Sequence, residues 1–275
     1  MTALEADRAA SAVTAPIRRP RRARGGATAP LRGLAPLVLL LALWQLLGDP
    51  TSPYFPPPSR WFTALQPLLP DGVLLDALGW TTLTLLLGLM VSTVLGTVLG
   101  ALVGASRTLD RAFGPTLEFL RVLPAAALVP LAALVLGYTL EMKLAVVVLP
   151  ATWPVLLTVR SARRALSPVL MDTSRTLGLS RGERVRKVLV PALTPSVLLG
   201  IRVSGPLALI ITLLVEIVTR INGLGALMGA AQSNFLSAQV FGLLFIAGVL
   251  GFLVNWLVTK AEMVVTRRMT GDAQH

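Results

Sequence analysis

The sequence predicts an all-α membrane protein of six transmembrane helices with both termini cytoplasmic. Three observations predict it. Hydrophobic residues make up 54% of the chain and charged residues 14%, with a mean hydropathy of +0.74, whereas a soluble domain carries about 25% charged residues. The apolar residues fall into six blocks, on the scale of the roughly 20 helical residues that cross a hydrocarbon core of about 30 Å. The Lys and Arg residues, which give a net charge of +12, gather in the tail and in alternate gaps between blocks. Cytoplasmic flanks collect Lys and Arg, and six spans put every basic cluster on that one side. The charge excess is therefore a topology signal and not a nucleic-acid surface.

Residues 1–30 are rich in Ala, Arg, Pro and Gly and carry Arg18, Arg19, Arg21, Arg22 and Arg24. This composition predicts a disordered basic cytoplasmic tail that sets topology and touches anionic lipid. A twin-arginine export signal is the alternative. The next apolar run lacks a small-residue cleavage site, which favours an uncleaved anchor. Residues 31–275 are then one membrane domain. Its first span, 34–47, is short, so its ends are expected to extend into the flanks. Residues 49–76 hold Pro53, Pro56, Pro57 and Pro58 and three Asp against one Arg, an outside loop with a short interfacial helix at 68–76.

The second span, 78–103, has Gly88, Gly96, Gly100 and Gly104, small residues whose fourfold spacing lets another helix approach closely. Arg107 and Arg111 form an inside corner, and 113–121 lies at the inner interface. The third span, 122–140, contains Pro124 and Pro130. Glu141 and Lys143 mark a tight outer turn, and the fourth span, 144–159, contains Pro150 and Pro154. The fifth span is 197–218, followed by an outer segment, 219–236, with Asn222, Gly223 and Gly225 as turn residues. The sixth span is 238–258, and Lys260, Arg267 and Arg268 lie inside after it.

Between the fourth and fifth spans, residues 160–191 read RSARRALSPVLMDTSRTLGLSRGERVRKVLVP and hold eight Lys and Arg residues against two acids. Ser167 is a good N-cap and Pro168 suits the first helical position. Gly178 supplies a left-handed residue to end that helix. Ser180 starts a second helix, with Glu183 completing a capping box. Pro191 and Pro195 interrupt or kink the chain beyond it. The expectation is a short helix, a glycine corner and a second helix. A helix of roughly ten residues is marginal alone, so this element is expected to dock on a soluble partner.

The chemistry that is missing narrows the function. With no Cys there are no disulfides or thiolate metal sites. The sole His is His275, which removes the commonest general base, metal ligand and triad member from the apolar region. No G-x-x-x-x-G-K-[ST] phosphate loop occurs, so ATP hydrolysis by that route is not expected here. The chain is expected to be no enzyme and to bind no metal or cofactor.

Charge within the spans is sparse, mainly Glu216 with Arg121 and Arg202 nearer the inner surface. A proton- or ion-driven carrier places ionisable groups along its path, and one acid near an outer helix end is thin support for that. Ser204, Ala208, Thr212 and Glu216 recur every four residues and share one helical stripe. That stripe is a candidate translocation path. The competing reading is that Ser and Thr bond their own helix backbone and Glu216 sits in the outer interface.

The segment MDTSRTLGLSRGERVRKVLVPALTPSVLLGIR resembles the EAA loop of binding-protein-dependent ABC importer permeases. Asp172, Thr173 and Ser174 fall at the Glu-Ala-Ala positions, Gly178 at the glycine, and Val188, Val190 and Pro191 at the Ile/Val-x-Leu-Pro end. Asp replaces Glu, and Thr and Ser replace two Ala. YFPPPSRWFTAL, FLRVLPAAALVPLAALVLG and LVEIVTRINGLGALM resemble, in order, segments of the aliphatic sulfonate, taurine and nitrate permease branch.

The resemblance implies a type I ABC importer permease fold in a bacterial plasma (inner) membrane. It implies a second permease copy, two cytoplasmic ABC ATPase subunits that hold ATP and Mg, and an extracytoplasmic solute-binding protein. Ser167, Pro168, Leu170, Met171, Asp172, Thr173, Ser174, Arg175, Thr176, Leu177 and Gly178 would sit in a groove on the ATPase. The solute would be small, with anionic compounds among the candidates. A stand-alone secondary transporter or channel, and a membrane scaffold for a cytoplasmic enzyme, are the rival functions.

Overall fold

The computed structural model describes residues 29–271, and its regular elements there are all helices. The chain divides into two compact units, Met1–Leu46 and Leu47–His275. In the first unit the described element is α1, Ala29–Leu47, an apolar helix with Pro36 inside it. It starts before the apolar block does, and its 19 residues reach about 28 Å. The tail expectation concerns residues that lie, but for 29–30, outside the described ones.

The second unit begins with α2, Pro58–Leu65, continued by a 3₁₀ turn at Gln66–Leu68. This corrects the expectation of a helix at 68–76. Pro58 occupies the first turn, where its missing N–H costs nothing. Trp61 fixes the helix from within: its indole N–H donates to the Pro56 carbonyl at 3.0 Å, and its ring stacks on Phe241 at 5.5 Å. Gly72, at φ +69°, then turns the chain, and Val73–Asp76 is already the first turn of α3, Val73–Ala105.

Helix α3 packs along α6, Leu140–Ala165, through its predicted small residues. A Cβ on Gly88 would meet Val147 at 2.8 Å, on Gly96 Val155 at 2.7 Å, on Gly100 the Leu156 carbonyl at 2.6 Å and on Gly104 the Arg160 carbonyl at 2.7 Å. The contacts advance together along both helices, from Gly88 and Val147 to Gly104 and Arg160. Backbones this close leave no room for side chains between them.

The third predicted span, 122–140, begins at a bend. Helix α4, Arg107–Val122, and α5, Ala125–Leu136, meet at 90°. Leu123 and Pro124 between them are extended, at ψ 123° and 119°. A residue before proline is driven out of the helical region, and proline then fits the start of the next helix. Pro124 therefore divides this segment, whereas Pro130 lies inside α5.

After α6 come α7, Pro168–Thr176, and α8, Arg181–Arg184. A π turn, Val185–Leu189, joins α8 without interruption to α9, Val190–Thr219. Proline removes one ladder bond and crowds the carbonyl four residues back. The widened turn sits on the residues before Pro191 and makes that space. The α ladder is thus interrupted at the expected place, by a π turn and not by an end of the helix. Helix α10, Leu224–Ser233, is short, and α11, Ser237–Gly271, is long and apolar.

Among the described residues, four helices (α3, α6, α8 with α9, and α11) are long and apolar enough to cross a membrane, and the bent pair α4–α5 makes a fifth. The main core gathers Leu85, Val129, Met142, Val147, Ala208 and Val215 from α3, α5, α6 and α9. A second cluster joins α2, α3, α10 and α11 around Leu65, Leu224 and Leu243. A third, Val155, Val159 and Leu193, packs α6 on α9 towards the elbow.

Candidate functional site

The elbow between α6 and α9 is built from local rules. Leu166 and Ser167 are extended, and Pro168 opens α7. Ser167 holds the N-cap position, but its hydroxyl makes no capping bond, and its carbonyl takes the Leu170 N–H at 3.1 Å instead. That corrects the capping role expected of its side chain. At the other end Gly178 adopts φ +69° as predicted. The Gly178 N–H donates to Arg175 O at 2.9 Å and the Leu179 N–H to Ser174 O at 3.2 Å. These two bonds are a Schellman motif, which satisfies carbonyls that a helix end leaves open.

Ser180 and Glu183 form the predicted capping box, with reciprocal bonds of 3.0 and 3.3 Å, and Lys187 adds 2.9 Å to Glu183. Both turns of the elbow are thus closed by their own hydrogen bonds. Ser174 is buried and Met171 half-buried, and the Ser174 hydroxyl donates to Met171 O at 2.7 Å. Val169 is 70% exposed, Leu177 71% and Leu170 42%. With Thr173 they occupy a contiguous arc of the helix. Asp172 bonds Arg175 at 3.0 Å on the exposed side, and the Thr176 hydroxyl donates to Asp172 O.

Above the elbow, the buried Asp110 of α4 accepts from two guanidinium groups of α6. Arg160 bonds one oxygen at 2.5 Å and Arg164 the other. Sequence alone points to Arg107 and Arg111 at this corner and misses Asp110. The available signal is an acid in the first turn of a helix that Ser106 caps, Ser106 accepting from Leu109 N at 3.4 Å.

The stripe Ser204, Ala208, Thr212 and Glu216 lies on one face of α9, as its spacing requires, and all four residues are fully buried within the chain. The Ser204 hydroxyl donates to Ala151 O of α6 at 2.6 Å, while the Thr212 hydroxyl is buried without a partner. Glu216 is held in a knot. Lys143 of α6 donates to one carboxylate oxygen at 2.8 Å, and Thr81 of α3 donates to the other at 2.7 Å. Gly225 N donates to that second oxygen at 3.1 Å. Lys143 also reaches Asn222 O at 2.7 Å, and Leu224 N donates to Thr81. Lys143 is 1% exposed. It is no turn marker, which corrects its expected role. The turn before α6 is made by Gly137, at φ +68°, and Thr139, which caps Met142 N.

The model of the family described as binding-protein-dependent transport system inner membrane component matches residues 92–270. The chain belongs to that family. It is thus a permease subunit of an ABC importer and a multi-pass protein of the plasma membrane. The putative aliphatic sulfonates transport permease protein SsuC of Bacillus subtilis (strain 168) is 27% identical over 235 residues, covering 84% of this chain and 85% of that one. The bicarbonate transport system permease protein CmpB of Synechococcus elongatus is 27% identical over 249 residues, covering 86% and 89%. The formylaminopyrimidine transport permease protein ThiX of Halalkalibacterium halodurans is 26% identical over 229 residues, covering 83% and 92%. These relatives are those of the sulfonate/nitrate branch.

In fold, the permease resembles a chain of the MetNI methionine ABC transporter in an inward-facing conformation. The TM-score is 0.62 at 18% identity, over 74% of this chain and 99% of that one. The family implies, in general terms, ATPase and binding-protein partners and pairing of permeases.

Proposed function

We propose that this permease forms half of a translocation path and is driven through its elbow by a cytoplasmic ATPase. Two identical copies pair, two ATPase subunits grip the two α7 helices, and an external binding protein delivers the solute. Six spans result if α1, the α4–α5 pair and the four long helices each cross once. Both termini are then cytoplasmic, with the elbow on that same side. The permease itself performs no catalysis. Its solute is small, and the names of two of the three relatives above point to an anion.

The observation that carries this reading is the elbow itself. It is closed by hydrogen bonds at both turns, yet it exposes Val169, Leu170 and Leu177 on one arc. Burying one such side chain contributes about 1.5–3 kcal/mol, so three of them per elbow make a useful anchor. The test is co-purification. A Leu170→Asp/Leu177→Asp variant should lose its ATPase while keeping its own monodispersity and thermal midpoint. Undiminished ATPase recovery would refute docking at this arc. Solute uptake by this chain alone, indifferent to ATP, would favour a stand-alone transporter.

A further inference from the structure

The elbow joins the C-terminal end of α6 to the start of α9. At their far ends the same two helices are joined again, by Lys143 near the start of α6 and Glu216 near the end of α9. Lys143 and the last residue of α6 are about 33 Å apart along the helix. The two helices therefore form a frame closed at both ends. Along one side, α3 is seated on α6 through its glycines and tied to Glu216 through Thr81.

We infer that the Lys143–Glu216 pair is a strut that carries displacement of the elbow to the short outer helix α10. The atoms on the pair support this. Lys143 holds Asn222 O, and Glu216 holds Gly225 N, so both charges grip the turn that opens α10. The fit is tight. A Cβ on Gly223 would collide with the Glu216 carboxylate, and one on Gly225 would lie 2.5 Å from Leu213 O. A turn gripped by two helices moves only when both move. Lys143 and Glu216 are positioning residues here: both touch the turn that opens α10.

This inference rests on the proposed coupling through the elbow, so the experiment reads both ends separately. The chain has no Cys, and single thiols can be placed without background. Gln232→Cys on the exposed side of α10 reports the outer end, and Thr176→Cys reports the elbow. The permease–ATPase complex is labelled with a maleimide, with and without Mg-ATP and orthovanadate. In the parent, trapping should change the labelling rate at both positions by about fivefold or more, the lower range of measured site coupling. In Lys143→Met/Glu216→Gln, the elbow thiol should keep its response and the outer thiol should lose it. The paired replacement leaves no lone buried charge, which is the outcome a single substitution would risk. Thr81→Ser, which keeps the hydroxyl, should behave as the parent.

An outer thiol that still responds in the paired variant overturns the strut. So does a paired variant that no longer assembles, because the pair would then serve folding. If the elbow thiol fails to respond even in the parent, the elbow reading fails and not the strut.

Discussion

Replacing Gly100 by alanine would drive a methyl group into the backbone of α6. The new Cβ would stand 2.6 Å from Leu156 O, 3.0 Å from Val159 Cβ and 3.2 Å from Arg160 N. Ordinary contact begins at 3.4 Å, so the two helices must part by 3.4 − 2.6 = 0.8 Å at that level. Two of the three obstructing atoms are backbone and cannot rotate away. Gly79 lies on the same helix, and a Cβ there meets nothing within 4 Å. Both substitutions share the gain in helix propensity, about 1 kcal/mol. Their difference isolates the clash. Overpacking costs about 1–3 kcal/mol, which for a chain of this size separates the two thermal midpoints by about 2–12 °C. The assay is thermal unfolding of the purified permease in one detergent at one scan rate, since such transitions are often irreversible. Gly100→Ala melting at or above Gly79→Ala would refute the close seating of α3 on α6.

Gly178 has open space around it and φ +69°, so its substitutions should be ordered by backbone strain and not by size. Gly178→Asn is expected to couple best, Gly178→Ala less well and Gly178→Val worst, read as stimulation of ATP hydrolysis in the assembled transporter; equal stimulation in all three would remove Gly178 from the coupling element. Ser180→Ala, which deletes a side-chain N-cap, should cost about 1 kcal/mol, whereas Ser167→Ala, with no capping bond to lose, should leave the thermal midpoint unchanged. Asp110→Asn should lower that midpoint, because Arg160 and Arg164 lose their shared carboxylate; an unchanged midpoint would mean the two guanidinium groups are satisfied elsewhere. Glu216→Gln should destabilise the permease more than any of these, because Lys143 is left buried without its counter-charge, and breaking such a pair costs about 3–5 kcal/mol.

The parts of this protein that are legible in its sequence are those whose cause is local. Gly178, the Ser180–Glu183 box and the glycines of α3 each signal through neighbours a few residues away, and each takes its expected place. The pair Lys143–Glu216 is separated by 73 residues, and Asp110–Arg160 by 50. No periodicity links such partners. A lysine beside a glutamate at a predicted span boundary reads as a solvated turn, and only packing against α9 shows which of the two turns inward. Glu141 stays exposed while Lys143, two residues on, is buried. The boundary between α4 and α5 is legible too, since a mixed segment at 113–121 gives way to an apolar span at 122, but hydropathy averaged over a window does not register the 90° bend there.

Position and stiffness together decide what the elbow is able to do. A nine-residue helix is too short to persist by propensity, and an exposed one gains little from burial. Here the shortfall is met at two points: a Schellman motif at one turn and a capping box at the next. The last turns of α6 are in addition pinned to α4 by Asp110. If an ATPase grips α7 as proposed, force on it would displace α6 and α9 instead of fraying the corner, and the inferred strut would carry the opening turn of α10 with them.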